Sequence, residues 1–245
     1  MSPVVARPDG VRIAYDVAEG KRPVLLVHGF ASTAAATWGG TGWVRALVGA
    51  GRGVVTPDLR GHGRSGKPHR SADYTPTEMA ADLCAVLDDA GIEQVDVIGY
   101  SMGVRVVSAL TRHAPERIRR ITLGGAGPIE YFSTWDVDSV DRFVSTGALP
   151  AEPTIAAVLR AALEAGEDRE ALGACVLGMT DAPLDVATGI PTLYVAGSAD
   201  LIPDGVATLA DVTGAGYLEL PGRTHINALT SAEFKRAALA FLDED

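Results

Sequence analysis

One short turn constrains this chain more than anything else in it. The run Val95-Asp96-Val97-Ile98 ends abruptly in Gly99-Tyr100-Ser101-Met102-Gly103, and a helix-compatible segment, Val104 to His113, follows at once. Gly-x-Ser-x-Gly between a strand and a helix is the pattern of a nucleophile elbow. Such a turn needs unusual backbone dihedrals and close approach of its neighbours, which a side chain at Gly99 or Gly103 would obstruct. Ser101 is then expected at the tip, its hydroxyl above the sheet and backed by the positive end of a helix.

The remaining periodicities supply a frame for that turn. Val11 to Val17 alternates apolar and polar residues as a half-buried edge strand does, whereas Pro23-Val24-Leu25-Leu26-Val27 is continuously apolar, the pattern of a strand covered on both faces. Gly53 to Asp58, Ile118 to Leu123, Thr192 to Ala196 and Tyr217 to Leu220 read as further strands. Between them lie helix-like segments, Trp43 to Ala50, Thr75 to Ala90 and Ser231 to Leu242. Thr75, Pro76 and Glu78 form a start signal, and Gly91 a stop. Alternating strands and helices predict an α/β fold with a doubly wound, largely parallel sheet, whose sites lie at the carboxyl ends of strands. Residues 128–187 break the alternation with three helix-compatible stretches, Val137 to Ser145, Thr154 to Ala165 and Arg169 to Met179. The expected organisation is a core of residues 1–127 and 188–245 carrying a small helical cap at 128–187.

Composition narrows the function. A net charge of -10 argues against nucleic acid as a partner. No apolar run approaches membrane-spanning length, and the first ten residues lack a signal peptide's apolar core. Cys84 and Cys175 offer neither metal spacing nor a disulfide framework, which suits a reducing cytoplasm. Neither a metal nor a nucleotide cofactor is expected, since no ligand cluster or phosphate-binding glycine fingerprint is present.

A serine hydroxyl needs a base, and the base an orienting acceptor. His225, on the loop after the last strand, is the expected base, with His62 in the glycine-rich loop as runner-up. His28 suits loop ordering better, and His69 and His113 the surface. The acid is expected between serine and histidine in chain order. Asp200, straight after a buried-type strand, fits best; Asp204 suits a helix cap, and Glu130, Asp181 and Asp185 are less well placed. The oxyanion donors are expected from the backbone amides of Met102 and Phe30.

His28-Gly29-Phe30, Asp58-Leu59-Arg60-Gly61-His62-Gly63-Arg64-Ser65, Gly99-Tyr100-Ser101-Met102-Gly103, Gly197-Ser198-Ala199-Asp200 and Gly222-Arg223-Thr224-His225 together resemble the α/β-hydrolase superfamily. The resemblance implies an eight-stranded, mostly parallel sheet, a cap after the sixth strand and a Ser101–Asp200–His225 triad. It also implies that the loop around His62 is chiefly structural. A serine at the nucleophile position disfavours carboxylate-nucleophile chemistries such as epoxide hydrolysis. The expected reaction is hydrolysis of an ester or thioester of a small, largely apolar molecule through an acyl-serine. C–C bond hydrolysis, lactone hydrolysis and cofactor-free perhydrolysis use the same triad, and a non-catalytic binding protein is the reading of another class. Tyr131, Phe132, Trp135 and Leu201 are candidates for the substrate pocket, or for simply anchoring the cap.

Overall fold

The computed structural model describes residues 2–244; Met1, Asp245 and the side chain of Thr154 lie outside the description. Its strands are β1 (Val4–Ala6), β2 (Arg12–Ala18), β3 (Lys21–Val27), β4 (Arg52–Pro57), β5 (Val95–Tyr100), β6 (Ile118–Gly124), β7 (Thr192–Gly197) and β8 (Gly216–Leu220). They form one sheet in the order β1-β2-β4-β3-β5-β6-β7-β8. The β1–β2 and β2–β4 pairs are antiparallel and every other pair is parallel. This is the eight-stranded, mostly parallel sheet that the resemblance implied.

The helices are α1 (Trp43–Gly49), α2 (Pro76–Asp89), α3 (Met102–His113), α4 (Val137–Thr146), α5 (Pro153–Glu164), α6 (Arg169–Met179), α7 (Val206–Thr213) and α8 (Ala232–Asp243). Both sheet faces are covered, which explains the continuous apolar run of β3. Leu25 and Val27 face the cluster containing Leu83 and Leu87 of α2 and Val107 of α3. Val24 and Leu26 face the other side, where Trp43, Leu47 and Phe234 bring in α1 and α8. Each such side chain, wholly withdrawn from water, contributes about 1.5–3 kcal/mol.

The start signals work as the residue types dictate. The Thr75 hydroxyl accepts from the Glu78 amide at 3.2 Å, and that of Ser231 from the Phe234 amide at 3.3 Å. Asp204 does not cap α7. The residue before that helix is Gly205, at φ 76°, with no side-chain cap. Gly205 supplies a left-handed backbone there, so the chain enters the helix through conformation and not through a carboxylate.

The strand order changes direction at β3 and β5, since β4 lies on one side of β3 and β5 on the other. A crevice opens at the carboxyl ends of strands where order reverses in this way. Val27 pairs with Gly99, so the residues after β3 lie beside Ser101. Helices α4, α5 and α6 lie between β6 and β7 in the chain. Glu167 accepts from the Gly63 amide, and Asp168 meets His69 Nε2 at 2.9 Å, tying this helical segment to the loop after β4. Among the described residues, no helix is long and apolar enough to cross a membrane.

Candidate active site

Ser101 follows β5 directly and has φ 56° and ψ -124°, outside the regions that side-chain-bearing residues ordinarily occupy. Its amide donates to the Gly124 carbonyl at 2.8 Å, which binds the strained turn to β6. The glycines on either side are there for space. A Cβ on Gly103 would lie 2.4 Å from the Val27 carbonyl oxygen, and one on Gly99 would lie 2.9 Å from a Val107 methyl. Helix α3 therefore packs against β3 and β5 only with bare backbone at these positions.

Three side chains distant in sequence meet here. The Ser101 hydroxyl lies 3.0 Å from His225 Nε2, and His225 Nδ1 lies 2.8 Å from Asp200 Oδ2. A carboxylate can only accept, so Nδ1 carries the proton and Nε2 is left to receive one from the hydroxyl. Asp200 is held in turn, its Oδ1 accepting from the Ile202 amide at 3.0 Å. The Ala199 amide donates to the Arg223 carbonyl, joining the loops after β7 and β8. Tyr100 Oη donates to the backbone carbonyl of His225 at 2.5 Å, so the residue beside Ser101 fixes the loop that carries the imidazole.

The loop after β3 completes the rim. A Cβ on Gly29 would sit 3.1 Å from that of Ser101, a measure of how closely the loop passes. His28 is buried, accepts from the Leu59 amide at Nε2 and donates from Nδ1 to the Gly29 carbonyl. Asp58 reaches across to the Ala34 amide at 2.9 Å and is itself gripped by Arg64 Nε at 2.8 Å. Burial pushes the Asp58 carboxyl upward, but the Arg64 and amide hydrogen bonds outweigh it and hold the group below its ordinary value. The amides of Phe30 and Met102 take no partner among the described residues. That of Met102 opens α3 and so has no intrahelical acceptor.

A cavity of about 410 Å³ opens beside Ser101 and His225. Its walls are mostly apolar and include Phe30, Ile129 and Phe132 together with Ile155 and Val158 of α5. Of the four residues singled out in sequence for a pocket, Tyr131 and Phe132 line it. Trp135 does not; it packs edge-on against Phe132 and Phe30, at ring-centroid distances of 6.1 and 6.4 Å. Leu201 does not either, being 90% exposed on the turn after β7. That turn sends the Asp200 side chain inward and its neighbour outward.

Two charged residues lie on the cavity wall, Arg105, to which the sequence assigns no role, and Glu130, a less well placed candidate for the triad acid. Arg105, one turn into α3, is 4% exposed and donates from Nη2 to the carbonyls of Gly127 and Ile129, the latter at 2.8 Å. Its Nη1 has no hydrogen-bond partner among the described residues. Burial lowers the guanidinium's pKa, partly opposed by the Glu130 carboxylate. Glu130, also on the wall, accepts from the amides of Phe132 and Ser133 at 2.8 Å each, and burial raises its pKa. The available signal was a lone arginine in the apolar run Val104-Arg105-Val106-Val107.

Residues 22–170, more than half of the chain, match the family model described as alpha/beta hydrolase fold. The chain belongs to the alpha/beta hydrolase fold family. Among curated members, it is 36% identical over 154 residues to an uncharacterized protein of Mycobacterium tuberculosis, covering 62% of this chain and 40% of that protein. It is 31% identical over 118 residues to a 2-hydroxymuconate semialdehyde hydrolase of a Pseudomonas species, covering 48% and 41% respectively. The matched region thus spans well under two thirds of these relatives. The enol-lactonase of Burkholderia xenovorans superposes with a TM-score of 0.79 at 24% identity, over 99% of this chain and 100% of that one, a likeness of fold.

Proposed function

We propose that this family member is a serine hydrolase acting on a carboxylic ester or thioester of a small, largely apolar molecule, through an acyl-enzyme on Ser101. The observation that carries the reading is the unbroken line Ser101 Oγ–His225–Asp200, at 3.0 and 2.8 Å. His225 Nε2 takes the hydroxyl proton as Oγ attacks the carbonyl carbon, giving a tetrahedral oxyanion and an imidazolium. Asp200 keeps the imidazole in the required tautomer and stabilises that cation. The oxyanion is received by the amides of Phe30 and Met102, each worth about 2.7–4 kcal/mol to the transition state in sites of this type. The C–O or C–S bond then breaks, and His225 returns the proton to the departing alcohol or thiol. Water, deprotonated by the same nitrogen, releases the acid and restores Ser101. The helical segment 128–187 acts as a cap, since Tyr131, Phe132 and α5 supply one wall of the cavity.

The test is turnover of p-nitrophenyl esters of graded acyl length, with intact-mass detection of a fluorophosphonate adduct. The wild type is expected to hydrolyse short esters and gain one adduct; Ser101→Ala is expected to do neither. Wild-type turnover by Ser101→Ala would overturn the reading. A second reading, hydrolysis of a C–C bond in a vinylogous diketone, is favoured by the 31% identity to the semialdehyde hydrolase. It predicts faster turnover of such a diketone than of any ester.

A further inference from the structure

Two consecutive residues at the end of β5 reach the same histidine. Ser101 Oγ lies 3.0 Å from His225 Nε2, and the Tyr100 hydroxyl donates to the His225 backbone carbonyl at 2.5 Å. One contact is on the ring and the other on the main chain, so the base is gripped at both ends from a single turn. The rings of Tyr100 and His225 also pack together, with centroids 5.3 Å apart. Tyr100 is itself held without slack. It is 3% exposed; a Cβ on Gly124 would lie 2.8 Å from its Cδ2, and one on Gly125 2.7 Å from its Cζ and 2.9 Å from its Oη. The glycine pair at the end of β6 is thus a slot for this ring. The slot is pinned to the turn it serves, since the Gly124 carbonyl accepts from the Ser101 amide at 2.8 Å, and to β7, since the Gly125 amide donates to the Val195 carbonyl at 3.1 Å. Burial, with the Asp200 carboxylate adding to it, pushes the phenol's pKa up, so the hydroxyl remains a donor. In the loop after β8, backbone bonds are made at Arg223 and Thr224, and Tyr100 supplies one at His225 itself.

We propose that Tyr100 is a positioning residue that sets the register between nucleophile and base, its hydroxyl holding the His225 main chain where Nε2 meets Ser101 Oγ. This rests on the acyl-serine reading and gives the origin of its Ser–His distance: the base is measured off the nucleophile's own strand. Tyr100 exchanges no proton in the reaction. Without the hydroxyl, a buried carbonyl loses its donor. The loop relieves that by turning towards water, and the imidazole moves with it. A misplacement of about 1 Å in such a site can cost about 10²-fold in rate.

Tyr100→Phe tests this, because it keeps the ring that fills the slot and removes only the hydroxyl. It is expected to lower kcat on a p-nitrophenyl ester by about tenfold or more, with KM little changed. A double-mutant cycle separates positioning from a general effect on the fold. His225→Ala keeps a residual rate from the oxyanion donors and binding, and adding Tyr100→Phe to it is expected to cost nothing more. The proposal is overturned if Tyr100→Phe keeps the wild-type kcat, or if its loss persists in the His225→Ala background. A measurement that needs no turnover is the set of NMR chemical shifts of the His225 imidazole. They are expected to move in Tyr100→Phe while those of residues distant from the site stay in place; unmoved His225 shifts would also overturn the proposal. If no ester turns over and Ser101 takes no fluorophosphonate, the acyl-serine reading fails on its own, while the imidazole shifts still judge Tyr100.

Discussion

Two loops at the carboxyl edge of the sheet each present a histidine, and their chemistry could hardly differ more. In the loop after β4, His62 is fully buried, with Nδ1 donating to the Arg60 carbonyl at 2.9 Å and Nε2 meeting no partner among the described residues. Burial, with His28 adding to it, pushes its pKa down to about 3. In the loop after β8, His225 keeps a 9% exposure, and both ring nitrogens face side chains that can give or take a proton. Strand-end position alone is therefore no guide to reactivity. What separates the two is the second nitrogen: at His225 it meets a hydroxyl, at His62 it meets the protein interior. The surroundings agree. The first loop is cross-linked by Asp58, Arg64 and Ser65 to β2 and to the loop after β3, as a scaffold would be. The second is joined to the rest of the site by the Tyr100 hydroxyl and the Ala199–Arg223 bond.

The contrast can be broken most sharply at His225. His225→Ala is expected to lower kcat by about 10⁶-fold, no less than Ser101→Ala, because the two act as a unit; steady-state kinetics on a p-nitrophenyl ester measure it. Should His62→Gln lose as much while remaining folded, the two assignments would have to be exchanged. Asp200→Asn comes next, with an expected loss of about 10⁴-fold in kcat from the wrong imidazole tautomer and little change in KM. Third, Gly103→Ala should lower the midpoint of urea unfolding more than Gly99→Ala. The new methyl meets the Val27 carbonyl oxygen in one case and a Val107 methyl, which can yield, in the other. The smallest effect concerns pH. His62 resists protonation when folded but binds a proton near its ordinary value of 6.5 when unfolded. The unfolded state thus takes up more protons as pH falls, and stability declines from about pH 6.5 towards pH 3. His62→Gln should flatten that decline in the thermal midpoint, leaving the part due to His28, whose pKa burial also lowers.

Legibility in the sequence followed the strength of the local signal. The central strands were readable because burial on both faces leaves an unbroken apolar run, as in Val24 to Val27. The turn at Ser101 was readable because glycine is the only residue that fits on both sides of it. Strand β1 was missed: Val4–Ala6 is three residues long and is defined by its pairing with β2, a long-range fact with no local periodicity. The pocket was the least legible part. Leu201 and Trp135 offer apolar bulk in the sequence, yet bulk says nothing of direction, and one faces solvent while the other packs edge-on against Phe132. Arg105 is illegible for the opposite reason, since a charge in an amphipathic helix is normally on its wet face. Only the packing of α3 between the sheet and the loop after β6 shows it to be inside.

The backbone of Ser101 has a further consequence. A residue with a Cβ held at φ 56° and ψ -124° carries about 1–3 kcal/mol of conformational cost, which the surrounding sheet must offset. Ser101→Gly would shed that cost along with the hydroxyl and should melt at a higher temperature than the wild type. The chain gives up thermal resilience at this one residue, and what it keeps in exchange is an alcohol poised in the open.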